Sequence, residues 1–445
     1  MKSLGEQITA TPRSEAFRPL LMIAPWIICL LVAAAFWAVA PLIVDEYWVN
    51  IFRKVGVFVI AAVSLNIVNG FTGQFSMGHA GFMAIGGYVA AATTYYGSLL
   101  IHGSVGDPAF WVGGTGLMLV GTLLGAMVAA AFGYIVGLPS LRLRGDYLAI
   151  VTLGFGEIIR VLLELTKSQV DSVDAIRERG LATLVSLNGP TGFFGTPPYA
   201  NLFWIWLLVA ITCLVAYRVK QSSSGRAFLS IREDEIAARS MGVDLTRYKV
   251  RAFVLAAFFG GVAGALFAHT GVNPSPTDAG FQRSFDIIIF VVLGGLGSIS
   301  GAALAAIVLT LLSEVLRGPA PVLDSWWLWP PLAVVIGGVS AWLRSKRNPG
   351  WSIVAVLAAL PLVLLAFAAL AAVLKDKAGI DLANYRMVLY ALLLIFAMLL
   401  RPNGLLGIRE IWDFFRTKPD TGGGDKLGPA RFAAGSGAGQ VGGKR

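Results

Sequence analysis

Charge is scarce in this chain. Asp, Glu, Lys and Arg make up 13% of its 445 residues, against roughly 25% in an ordinary soluble domain. Hydrophobic residues make up 56% and the mean hydropathy is +0.74. A water-soluble fold could not hide that much apolar surface, whereas a lipid-facing fold need not. Cysteine is almost missing. Cys29 and Cys213 both lie in apolar runs, which excludes a disulfide framework and a thiolate metal site. The histidines, His79, His102 and His269, do not cluster. No G-x-x-x-x-G-K-[ST] loop occurs, so the chain has no phosphate cradle of its own for ATP. Gly294-Gly295-Leu296-Gly297 lacks a preceding strand and lies among apolar residues, so it is no dinucleotide fingerprint. With no Ser-His-Asp arrangement either, the sequence carries no catalytic machinery and binds no cofactor or metal.

Long apolar runs fill the space that chemistry leaves empty. Leu20–Val44 is too long for the core of a signal peptide, about 7–15 residues, and long enough to cross a bilayer, about 20 residues; it reads as a first, retained span after a polar tail at 1–19. Further spans are expected near 55–70, 80–100, 111–137, 147–165, 202–218, 250–270, 285–297, 301–316, 329–343, 351–374 and 385–400. The fold class is therefore all-α, a polytopic transmembrane bundle of about 10–12 spans, with the membrane-spanning body over 20–407. The Gly294–Gly301 link between two short runs allows a tight hairpin or a broken helix buried in protein. The net charge of +10 sits in short loops and reports orientation, not nucleic-acid binding. Basic residues gather in the N-terminal tail, at 138–146, in the loop 219–250, at 344–347 and in the tail 408–445. The positive-inside bias puts all of these, and both termini, in the cytoplasm. Arg53 and Lys54 fall on the wrong side of this scheme. From Thr421 the tail is Gly/Ala-rich and is expected to be disordered.

Glycine is plentiful, with 52 residues. The pairs Gly121/Gly125, Gly133/Gly137, Gly260/Gly264 and Gly297/Gly301 repeat at a spacing that lets helices approach closely, which reads as packing inside one bundle.

The loop at 219–250 is the most informative. Residues 226–241 fit one amphipathic helix, with Phe228, Ile231, Ala238 and Met241 near one face and Arg232, Glu233, Asp234, Glu235 and Arg239 largely elsewhere. Gly242 stands where a left-handed cap is favoured. Three consecutive acids disfavour an anionic leaflet, so the helix suits a soluble protein partner.

Glu235-Ile236-Ala237-Ala238-Arg239-Ser240-Met241-Gly242 resembles the EAA signature of bacterial ABC-importer permeases, with Ile236 in place of the usual glutamate. Gly225-Arg226-Ala227, Arg232–Ala238, Leu141–Arg160, Leu65-Asn66 with Gly70–Gly81, Val292–Ser298 and Arg401–Gly407 are similar to the branched-chain amino acid permease family, its LivM-type subunits in particular. The segment 317–384, with two extra apolar runs, departs from that family. What the resemblance implies is one half of a translocation path for branched-chain or related amino acids in the bacterial inner membrane. It implies a second homologous permease, two cytoplasmic ATPases that hydrolyse ATP, and a periplasmic solute-binding protein. Arg232, Glu233, Asp234, Glu235, Ala237, Ala238 and Gly242 would meet an ATPase. Permeases for urea, short amides or other amino acids share this pattern. A stand-alone secondary transporter would need inverted repeats and an ion site, and no clear repeat is seen.

Gly70–Gly81 interrupts an apolar region with four glycines and polar groups. Such backbone is tolerated at membrane depth only inside protein or along a water-filled cavity. Gly73, Gln74, Ser76 and His79 are candidates for the solute path, although a packing turn fits equally and His79 alone reads as a packed, hydrogen-bonded residue. Glu157 joins them as an ionisable residue inside an apolar run, with Arg160 one turn away as its simplest partner.

Overall fold

The computed structural model describes residues 45–105, 111–140 and 146–317, together with 30, 31, 33–38, 388, 392, 395 and 410. Every regular element among the described residues is helical. In chain order these are α1 (Glu46–Asn66, continued by a π-turn at Ile67–Phe71), α2 (His79–His102), α3 (Trp111–Ser140), α4 (Asp146–Glu164), α5 (Val173–Arg179), α6 (Leu202–Gln221), α7 (Ser223–Glu233), α8 (Glu235–Ser240), α9 (Leu245–Ala268), α10 (Phe281–Gly294) and α11 (Ile299–Arg317). Four of the described helices are long and apolar enough to cross a membrane: Glu46–Phe71, Gly113–Pro139, Leu202–Gln221 and Leu245–Ala268. The expected runs at 329–343, 351–374 and 385–400 and the segment 317–384 lie outside the described residues, apart from a few isolated positions.

One span begins earlier than its apolar run suggests. The expectation was 55–70, but α1 starts at Glu46. Arg53 and Lys54 therefore stand on the helix rather than in a loop before it, and Arg53 Nη1 donates to Asn50 Oδ1 at 3.0 Å. Charge lowers hydropathy locally without breaking helix geometry, which is why the run looked short.

Two helices form the centre. The most apolar windows of Glu46–Phe71 and Leu245–Ala268 are each 78% buried, against 33% for Gly113–Pro139 and 28% for Leu202–Gln221. Around α9, backbones approach through glycine. A Cβ on Gly264 would overlap the Met83 carbonyl, one on Gly86 would overlap the Gly261 backbone, and one on Gly125 would stand 2.5 Å from the Gly86 carbonyl oxygen. The pairs Gly121/Gly125, Gly260/Gly264 and Gly297/Gly301, and Gly133 of the fourth, pack within the chain, as expected. At the far end of α9, His269 bridges the Ala265 carbonyl (Nδ1, 2.7 Å) and Thr94 Oγ1 (Nε2, 2.9 Å).

The link after α10 is a tight helical hairpin. Gly295 and Gly297 take φ of +107° and +89°, conformations open to glycine. A Cβ on Gly294 would collide with the backbone of Gly301.

Candidate functional site

The loop at 219–250 folds as an elbow of two helices. Asp234 adopts φ −157°, ψ 115°, and its carboxylate accepts the N–H groups of Ile236 at 2.7 Å and Ala237 at 3.0 Å. The single helix expected over 226–241 is thus corrected to α7 and α8. An Asp side chain that caps a new helix outcompetes its own place in a helix interior. Ser222 caps α7 and Asp244 caps α9 in the same way. Gly242, at φ +86°, ends α8 as expected.

The break re-aims the second half of the elbow. Phe228, Ile231 and Ala238 are buried, as expected, but Met241 is 84% exposed. Its expected place on the buried face fails because the turn at Asp234 resets the helical phase. Ile236 is 74% exposed, and Glu233, Asp234, Ala237 and Gly242 are exposed around it. Glu235 pairs with buried Lys249 at 2.5 Å, which pins α8 to α9. Asp234, Glu235, Ile236, Arg239 and Leu245 line a groove of about 330 Å³. Two large apolar side chains beside a groove on an exposed six-residue helix form the kind of surface that takes a partner.

Arg232 points the other way, into the bundle. Its Nη1 donates to the Gly70 carbonyl at 2.8 Å and the Leu296 carbonyl at 3.3 Å. Its stem lies on Gly73, at φ +69°, where a Cβ would stand 3.2 Å from Arg232 Cγ. Three further side chains meet at the same place. Asn66 accepts the Gly297 N–H and donates to the Ser298 carbonyl, both at 2.9 Å. Lys220 donates to the Gly297 carbonyl at 2.7 Å and to Glu410 at 2.6 Å. Glu410 accepts the N–H groups of Ile299 and Ser300 at 3.0 Å each and the Ser300 hydroxyl at 2.6 Å, which caps α11. Burial opposes ionisation of Glu410. Lys220, Ser300 and the two N–H groups outweigh it and hold the carboxyl below its ordinary value. Asn66, Lys220 and Glu410 were not among the expected site residues. An amide ending an apolar run was a weak signal for Asn66, and nothing local marks Glu410.

Residues 72–78 between the π-turn and α2 are not helical. Single π-turns are rare and often stand at functional sites. The Ser76 N–H donates to Asn69 Oδ1 at 3.2 Å and the Met77 N–H to Thr152 Oγ1 at 3.0 Å. Gln74 is only 5% exposed, yet neither its Oε1 nor its Nε2 has a hydrogen-bond partner among the described residues; nor does Asn69 Nδ2. Such orphaned buried groups are uncommon and call for an explanation. His79 is buried, with Nε2 at 2.7 Å from Ser64 Oγ and Gly260 leaving room for its ring. It is the packed histidine that its isolation in the sequence suggested. Because His79 meets Ser64, seven residues before Phe71, the break climbs back into the bundle by about 10 Å.

Glu157 stands beyond the inner end of this break. Gly156 touches Gly78 and Gly81, and the Glu157 carboxylate turns to α10, accepting the Phe281 N–H at 3.2 Å. Arg160 bonds Glu157 at 2.6 Å and Glu164 at 2.5 Å, so the pairing that spacing suggested is present. The elbow, the junction below it and the break therefore form one connected region, and Glu157 lies one helix away.

Sequence comparison identifies relatives. The family described as "Branched-chain amino acid transport system / permease component" matches residues 47–328. The high-affinity branched-chain amino acid transport system permease protein LivM of Salmonella typhimurium is 37% identical over 309 residues, 66% of this chain and 68% of that protein. Its Escherichia coli counterpart is 36% identical over the same shares. The autoinducer 2 import system permease protein LsrC of Klebsiella pneumoniae is 31% identical over 153 residues, 33% of this chain and 41% of its own length. No solved structure matches the chain.

Proposed function

We propose, from the premise that the chain belongs to the branched-chain amino acid transport permease family, that the α7–α8 elbow is the surface on which an ATPase subunit acts and that the Gly70–His79 break is the part of the solute path it moves. The protein is a multi-pass membrane permease subunit of an ABC importer for branched-chain amino acids. We further propose its surroundings: a second permease of the same kind, two cytoplasmic ATPases, a periplasmic binding protein, and an inner membrane with the elbow and both termini on the cytoplasmic face. ATP binds to the partners in this arrangement.

The carrying observation is the pair of bonds from Arg232 to Gly70 and Leu296. Ile236 and Met241 enter the ATPase, each contributing about 1.5–3 kcal/mol if fully buried there. Motion of α8 reaches α7 across Asp234. Arg232 then carries it to the last turn of α1 and to the α10–α11 hairpin, two places where glycine backbones already depart from helix. Small displacements at such points grow into rearrangements because packed elements hold discrete arrangements. The Gln74 amide and Asn69 Nδ2, without hydrogen-bond partners among the described residues, would be offered to the solute path in one of them.

The test is a paired substitution, Ile236→Asp with Met241→Asp, in the importer expressed with its ATPase subunits. Loss of ATPase co-purification and of ATP-dependent leucine uptake, with the permease still in the membrane, is the expected result. Unchanged co-purification and uptake would refute the docking surface.

A further inference from the structure

We infer that Glu157, Arg160, Phe281 and Phe285 form a contact site for the solute itself, built for a free α-amino acid with a branched apolar side chain. The inference rests on the importer reading above and adds to it the atoms that meet the cargo.

Depth comes first. Gly156 packs against Gly81, and His79, two residues earlier on α2, bonds Ser64 of α1. Glu157 is thus level with the Ser64 region, about 27 Å along the helix from Glu46 and about 10 Å from Phe71. At such a level a charged group is costly unless it faces protein or a watery cavity. The Glu157 and Arg160 side chains are nevertheless 39% and 33% exposed, and Glu164 is 33% exposed. By contrast, the open face of α3 shows Val120, Leu123, Leu124 and Met127, all uncharged. On α4 and just past its end, Ile158, Val161 and Leu165 are exposed beside these ions, so lipid suits the flanks of that helix as it suits the α3 face. It is the charged stripe of Glu157, Arg160 and Glu164 that calls for water or a polar partner.

Charge and shape then describe the occupant. Two carboxylates share one guanidinium, so Glu157, Arg160 and Glu164 carry a net charge of −1 between them. Arg160 uses Nε and Nη1 for this, and its Nη2 has no partner among the described residues. An ammonium group is attracted by the excess carboxylate, and a carboxylate by Nη2. Beside them Phe281 and Phe285 are 47% and 39% exposed, with rings 5.5 Å apart and tilted by 37°. The Phe281 N–H bound to Glu157 sets the rings next to the ions. A zwitterion with an apolar branch satisfies all three features. A polar side chain leaves the rings unmatched, and a solute without an ammonium leaves the negative charge.

The test uses the complete importer in proteoliposomes, in a Cys29→Ser/Cys213→Ser background that must first support ATP-dependent leucine uptake; failure there would strike the importer reading and not this site. Phe285→Cys and, as the lipid-face control, Leu123→Cys are then treated with a cationic, water-soluble thiosulfonate. Phe285→Cys should react about tenfold faster than Leu123→Cys, and leucine-loaded binding protein with ATP should slow it about fivefold. In parallel, Glu157→Gln should lower the maximal uptake rate while the permease stays assembled with its ATPases. An unreactive Phe285→Cys, or a rate indifferent to leucine, would overturn the site: the first outcome marks a closed subunit interface and the second a watery face that the solute does not visit.

Discussion

The glycine-packed centre and the polar junction under the elbow solve the same problem, close approach of helices, by opposite means. Around α9 the contacts are backbone on backbone: Gly86, Gly125, Gly261 and Gly264 leave no volume for a side chain. Under the elbow, Asn66, Lys220, Arg232 and Glu410 bridge the gaps with hydrogen bonds to Gly70 and the 296–300 turn. Dispersion contacts are short-ranged and tolerate no partial displacement. Hydrogen bonds to carbonyls can be exchanged one for another at small net cost. The centre is therefore suited to staying rigid, and the junction to changing partners when α8 is pushed.

The comparison breaks most visibly at Gly264. Gly264→Leu forces a side chain into the Met83 backbone and should abolish accumulation of folded permease, read as detergent-resistant monodisperse protein by gel filtration; wild-type yield would show that the core can yield after all. Asn66→Ala removes the acceptor of the Gly297 N–H and one of two donors to the Ser298 carbonyl, which keeps the Ala302 N–H at 3.1 Å. A loss of about 1–3 kcal/mol for the one donor left unsatisfied should appear as a lower thermal midpoint, whereas an unchanged midpoint would mean water replaces the amide.

Arg232→Gln sharpens the difference between stability and coupling. Arg232 is partly exposed, so its removal should shift the midpoint little. ATPase should still co-purify and hydrolyse ATP, while leucine uptake falls several-fold. Parallel loss of hydrolysis and uptake would make Arg232 a docking residue instead.

The smallest effect concerns Glu410, where the sign follows from its lowered pKa. A carboxyl held below its unfolded value, about 4.3, contributes stability that is complete above that value and fades as pH falls through the folded one. The gap in thermal midpoint between the wild type and Glu410→Gln should therefore be widest near neutral pH and close at the acid end. A gap independent of pH would assign Glu410 a role through shape alone.

Much of this was readable residue by residue. Gly242 after a short amphipathic stretch announced a left-handed cap. Glu157 and Arg160, three apart, announced their pair. The break at Gly70–Gly81 showed through its glycines. Asp234 carried a capping signal that the hydrophobic period of 226–241 masked, and following the period placed Met241 on the wrong face. The start of α1 was hidden because Arg53 and Lys54 dilute the apolar run.

What the sequence determined alone is the medium and the secondary structure: a helical chain for lipid, without a G-x-x-x-x-G-K-[ST] motif in its sequence. Those follow from composition and short-range spacing, which need no fold. Only tertiary structure decided that Arg232 faces Gly70 and Leu296, that Asn66 grips a turn 231 residues away, that Glu410 caps a helix beginning 111 residues earlier, and that Phe281 and Phe285 stand beside Glu157. Hydrogen bonds and ring contacts act over a few ångströms, and such partners become neighbours only once the chain has packed.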